Sequence, residues 1–131
     1  MLKISREGPI GLTWKRRFLL VGWCAAMLTV TVLALLPGEV LPSILNWWDK
    51  AQHALAFVVL TGWAMLVWPR YVLRVMIGML LFGAGIELAQ LATGWRDGEW
   101  ADLAADAVGI CGAWWGSVAV AKVSASTRRV S

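Results

Sequence analysis

The sequence predicts an all-α protein, a bundle of four transmembrane helices with both termini in the cytoplasm. Three observations predict it. Of 131 residues, 60% are apolar and the mean hydropathy is +0.68, against ~45–50% apolar, glycine included, in soluble domains. The apolar residues fall into four blocks, each close to the roughly 20 residues a bilayer-crossing helix needs. Finally, ten of the twelve Lys and Arg residues lie on one side of those blocks.

The first block, residues 18–36, is uncharged and offers only Thr29 and Thr31 as polar relief. A helix of a soluble bundle needs a polar stripe; this one has none. Lys15, Arg16 and Arg17 precede it as they would a signal peptide, but the run exceeds the usual ~7–15 residues and no small-x-small site closes it. Trp23 stands where a lipoprotein site at Cys24 would need a small residue. An uncleaved span is expected. Leu36-Pro37-Gly38 ends it, because proline cannot continue a helix and glycine favours the turn.

Pro42 keeps the next loop extended, and Asn46 or Asp49 is placed to cap the second helix. That block runs over residues 51–68 and closes at Trp68-Pro69-Arg70, a tight turn that makes helices two and three an antiparallel pair. The third block, 75–93, is interrupted only by Glu87 and Gln90. The stretch Thr93-Gly94-Trp95-Arg96-Asp97-Gly98 turns the chain into the fourth block, 101–121, which carries Asp102 and Asp106 near its start. The expected organisation is a basic cytoplasmic segment over 1–17, a membrane domain over 18–121 and a basic cytoplasmic tail over 122–131. Cys24 and Cys111 fall inside spans and read as small apolar packing residues, not a disulfide.

A net charge of +4 and a pI near 9.6 invite a nucleic-acid reading. The distribution argues against it. Lys3, Arg6, Lys15, Arg16, Arg17, Arg70, Arg74, Lys122, Arg128 and Arg129 share one side, and only Lys50 and Arg96 reach the other. The positive-inside rule assigns the basic side to the cytoplasm, and anionic lipid accounts for the basic tails. Trp47, Trp48, Trp95 and Trp100 then fall at the outer interface and Trp14 and Trp68 at the inner one, as an aromatic belt requires. Trp63, Trp114 and Trp115 sit deeper, where packing or lipid contact explains them.

The polar residues inside the spans follow a pattern. Asp49 and His53 are one turn apart, Glu87 and Gln90 three apart, and Asp102 and Asp106 four apart, so each pair shares a helix face. Helices two and four enter the membrane from outside while helix three climbs toward it. All three pairs therefore converge at one depth. Carboxylates within spans cost about 2.5–3.5 kcal/mol at a helix centre, less near the interface, and usually mark a site. Expected partners are Lys50 or Arg96 with Glu87 or Asp102, and His53 with Asp106. From Asp49 onward the outer half holds Asp49, Glu87, Asp97, Glu99, Asp102 and Asp106 against Lys50 and Arg96. That excess calls for a protonated carboxyl, a charged His53, or an incoming cation or amine.

Ala101, Ala105, Gly109, Gly112 and Gly116 form a small-residue seam on helix four, with Gly112 and Gly116 in GxxxG spacing; Gly78, Gly83 and Gly85 offer a similar surface on helix three. Small residues let helices approach closely in lipid. Such seams ordinarily serve packing within a bundle, and a homo-oligomer through the glycine-rich faces is the other reading.

The combination Asp49-Lys50-x-x-His53, Gly85-x-Glu87-x-x-Gln90, Arg96 and Asp102-x-x-x-Asp106-x-x-Gly109 resembles the VanZ-like family of small bacterial membrane proteins. The resemblance covers roughly residues 45–116, and it rests on the order and spacing of the pieces together. Asp106 departs from the pattern, where Asn is common, and deepens the acidic excess. The resemblance implies a multi-pass protein of the bacterial inner (plasma) membrane. The founding member is associated with resistance to teicoplanin, which a family name alone does not transfer.

The residues expected to line an outward pocket are thus Asp49, Lys50, His53, Glu87, Gln90, Arg96, Asp102 and Asp106. The leading reading is a membrane protein binding a cell-envelope ligand there, a lipid headgroup or lipid-linked precursor, with bearing on glycopeptide susceptibility. The second is an enzyme on such a substrate with His53 as general base and Glu87 and Asp106 as further catalytic candidates; Ser43, Thr93 and Ser117 lack any nucleophile pattern. The third is proton or cation transport through Glu87, with no relay on the inner side beyond Thr61 and Ser117. For His53 a structural hydrogen bond to Asp106 or Glu87 is the plainest role. His53 with Asp and Glu could bind a divalent ion, but no tight spacing such as HExxH supports it and no metal site is expected. Asp49 as a cap, Lys50 snorkelling, and Asp97 and Glu99 as solvated loop charges complete the plain readings.

Overall fold

The computed structural model describes residues 14–37, 49–95 and 98–130. Among them the chain forms four α-helices and no strand: α1 over Trp14–Leu35, α2 over Asp49–Val67, α3 over Val72–Thr93 and α4 over Trp100–Val130. All four are long and apolar enough to cross a membrane. At 1.5 Å per residue, the 22 residues of α1 and of α3 reach about 33 Å, matching a hydrocarbon core of roughly 30 Å. The chain is a multi-pass membrane protein by this measure.

Gly94 ends α3 in the left-handed conformation (φ 76°), which glycine adopts without cost. At the other turn the Tyr71 N–H donates to the Trp68 carbonyl at 3.0 Å, around Pro69. α3 begins three residues before the expected block, at Val72. The larger difference is α4. It continues through residues 122–130, which the charge pattern had separated as a tail. No proline or glycine follows Gly116, and Ala119, Ala121, Lys122 and Ala125 are good helix formers, so nothing stops the helix.

α2 and α4 are the most extensively packed pair. Gly109 makes this possible. A Cβ there would run into the Ala54 carbonyl and lie 2.9 Å from Phe57 Cβ. Around this contact sits the apolar core of Phe57, Leu60, Met79 and Ile110. α1 has no fully buried residue and leans on the bundle through Trp23, Ala26, Met27 and Val30. Its anchor is Trp23, whose indole N–H donates to the Leu60 carbonyl at 2.9 Å and whose ring meets Trp68 edge-on at 5.2 Å. Trp63 fits against Gly22, where a Cβ would come within 2.8 Å of the ring. Packing explains that tryptophan.

The outer surface of the bundle is apolar along its length, with Phe18, Leu28, Leu55, Leu66, Leu81 and Val120 exposed. Lipid, not water, suits such a surface. The small-residue seams need correction. Gly83 is buried at the α4 contact, but a Cβ on Gly78 or Gly85 would meet open space. On α4 the seam holds at Gly109, while Ala101, Gly112 and Gly116 are exposed. Cys24 and Cys111 are free thiols exposed on the bundle surface, not packing residues. Rotation of each helix about its axis decides these points, and the sequence leaves that rotation open.

Candidate functional site

The ends of α1 and α3 and the starts of α2 and α4 gather at one end of the bundle, here the distal end. Hydrogen bonds fix it. The Gln90 side-chain amide donates to the Ala34 carbonyl at 3.0 Å, and the Trp95 indole N–H donates to the Leu35 carbonyl at 3.2 Å. These tie α1 to α3. The Glu99 backbone N–H donates to Glu87 Oε2 at 3.0 Å, fastening the entry to α4 over α3.

Within that end His53, Glu87, Asp102 and Asp106 come together. His53 from α2 and Asp106 from α4 face each other, with Nδ1 and Oδ1 in hydrogen-bond contact at 3.0 Å. Asp106 is 1% exposed, Asp102 4%, Glu87 8% and Gln90 2%, so three acids and an amide are buried in a membrane-spanning bundle. A ring nitrogen of His53 and carboxylate oxygens of Glu87 and Asp102 lie within 4.8 Å of one another. The four groups form one cluster.

Lys50 sits at the cluster's rim. Its ammonium donates to Glu99 at 2.8 Å and lies 3.6 Å from Asp102 Oδ1. The expected Lys50–Asp102 pairing is present at this longer distance, but Glu99 is the nearer partner. Glu99 is therefore more than a solvated loop charge: its carboxylate holds Lys50 and its backbone holds Glu87. That hydrogen bond and the Lys50 charge keep the Glu99 carboxyl below its usual range. Nothing in the spacing marked Glu99, because its role arises from the chain folding back over Glu87. Arg96, Asp97, Trp47, Trp48, Asn46, Pro42, Ser43, Lys3 and Arg6 lie outside the described residues, as do the side chains of Asp49, Arg128 and Arg129.

Glu87 Oε1 and Asp106 Oδ2 are fully buried and have no hydrogen-bond partner among the described residues. Asp106 Oδ2 points at Gly83, where the absence of a side chain makes room for it. Buried polar atoms of native proteins are ordinarily paired, and a charged carboxylate in hydrocarbon needs a counter-charge. The cluster suits a positively charged guest. It also holds a histidine whose ring is fixed by a carboxylate, the arrangement a general base requires.

The Thr93 and Ser117 hydroxyls are occupied locally. Thr93 donates to the Gln90 carbonyl at 2.6 Å and Ser117 to the Trp114 carbonyl at 2.7 Å. Thr61 is fully buried, but Ser117 faces out of the bundle, which leaves no two-member relay toward the opposite end. An open apolar cleft of about 340 Å³, lined by Trp23, Met27, Trp68, Tyr71 and Val75, lies at that opposite end, away from the carboxylates. Its lining suits acyl chains. No family model matches this chain, and no curated protein or solved structure matches it either.

Proposed function

We propose that the chain is a VanZ-like protein of a bacterial plasma membrane, with both termini cytoplasmic, whose distal polar cluster faces outward and binds a cell-envelope ligand. The ligand class is a lipid headgroup or lipid-linked precursor that presents a positive group to the cluster. One observation carries the reading: Glu87, Asp102 and Asp106 are buried around His53, and Glu87 Oε1 and Asp106 Oδ2 lack any hydrogen bond among the described residues. Lys50 and Glu99 at the rim give a headgroup both charges to meet. The basic residues flanking the opposite end support the orientation.

Mass spectrometry of the protein purified from its own membranes in mild detergent tests this. The wild-type chain should retain an envelope lipid or precursor that Glu87→Gln loses at equal expression. An identical lipid complement in both, with intact helicity, removes the pocket. Such a residue would then be glue between helices.

The His53–Asp106 contact favours a second reading, an enzyme acting on the same ligand with His53 as base and Asp106 orienting its ring. In that case deletion of the gene shifts the mass of an envelope lipid or precursor, and His53→Ala reproduces the shift. Transport through Glu87 has less support, given the outward-facing Ser117. Ion flux in proteoliposomes that Glu87→Gln abolishes would revive it.

A further inference from the structure

We infer that His53, Glu87 and Asp102 form a binding site for a divalent cation of the zinc or manganese class, with Asp106 positioning the histidine. The proposal rests on the pocket described above and names the positive guest that its acids meet first.

The donor set is one imidazole and two carboxylates, contributed by three different helices. Their nearest ligand atoms lie within 4.8 Å of one another. Bonds of about 2.0–2.2 Å in a tetrahedral site would set ligands roughly 3.4 Å apart. Closing the remaining gap takes small side-chain rotations, with the backbones already in place. A mix of imidazole and carboxylate suits zinc and manganese better than calcium, which prefers oxygen alone.

A second observation, independent of the grouping, points to a ligand. Glu87 is more than nine-tenths buried, and its Oε2 is already taken by the Glu99 N–H. Its Oε1 is buried and has no hydrogen-bond partner among the described residues. An acceptor-only atom enclosed in this way is complete when it ligates a cation. The third observation is the orienting contact. Asp106 Oδ1 engages His53 Nδ1 at 3.0 Å, so Nε2 is the nitrogen that would coordinate. Metal-bound histidines almost always pass their other N–H to a carboxylate or carbonyl in this way.

The cation also answers the charge problem. Three buried carboxyls surround one histidine, and Lys50 lies 3.6 Å from Asp102 alone; a divalent ion would offset charge on the rest. With three protein ligands, tetrahedral or higher coordination leaves a position open to water or to an oxygen of the envelope ligand.

The test uses the untagged full chain in detergent, stripped with a chelator and dialysed against zinc or manganese, with the bound ion counted by elemental analysis. One ion per chain is expected. Glu87→Gln, His53→Gln and Asp102→Asn should each weaken binding at least tenfold, and Asp106→Asn by roughly 10–100-fold. The double change Cys24→Ala and Cys111→Ala should leave it intact, since both thiols face away from the bundle. Wild-type chain that binds no stoichiometric ion overturns the proposal whatever the variants do, as does equal binding by well-folded Glu87→Gln. If the metal is absent while Glu87→Gln still loses a co-purifying lipid, the metal site falls and the pocket stands.

Discussion

His53 Nδ1 and Asp106 Oδ1 lie 3.0 Å apart and join α2 to α4 across a buried contact. The two residues are 53 positions apart in the chain, and their meeting fixes both the depth and the rotation of the two helices. If the contact contributes to stability, His53→Ala and Asp106→Ala should be less than additive. A double-mutant cycle on unfolding in micelles should give a coupling of roughly 0.5–2 kcal/mol. Strict additivity would mean that the pair is adjacent but energetically idle.

Gly109 stands against the Ala54 carbonyl with no space for a methyl group. Gly109→Ala should therefore separate α2 from α4 and cost about 1–3 kcal/mol, as overpacking does. Gly85→Ala and Gly116→Ala meet open space and should leave the melting temperature unchanged or slightly raised, since alanine favours helix. Equal losses at all three positions would restore a seam running the length of both helices.

Glu99 is held below the usual carboxylate range by Lys50. A carboxyl lowered on folding stabilises the fold above its unfolded pKa, near ~4.3 for glutamate; that stabilisation disappears as pH falls through the lower folded value. Melting curves of wild type and Glu99→Gln should accordingly differ at neutral pH and converge only at pH below the ordinary glutamate range. The difference should be small, because both side chains of the pair are solvent-exposed and screened. A gap that closes already near pH 6 would assign the effect to another group.

Trp100 is 87% exposed at the distal end, and Ser126 is exposed near the end of α4. In a chain lacking Cys24 and Cys111, Trp100→Cys should react with a membrane-impermeant maleimide in intact spheroplasts. Ser126→Cys should react only after permeabilisation. The reverse pattern would invert the topology and turn the cluster toward the cytoplasm.

Spans, turns and the common depth of the polar residues are legible along the chain, because length and apolarity alone decide what crosses a bilayer. The one-turn spacings within each pair likewise place His53, Glu87, Asp102 and Asp106 at one end before any packing is known. Tertiary structure decided the rest: that Asp106, of the two expected partners Asp106 and Glu87, takes the His53 Nδ1, that Glu99 folds back to hold both Lys50 and Glu87, and that Gly83 and Gly109 pack while Gly78 and Gly116 do not. The reason is physical. In a membrane helix nearly every face is apolar, so periodicity does not separate the side toward lipid from the side toward protein. Only the packed bundle sets each helix's rotation, and with it the identity of the atoms that meet.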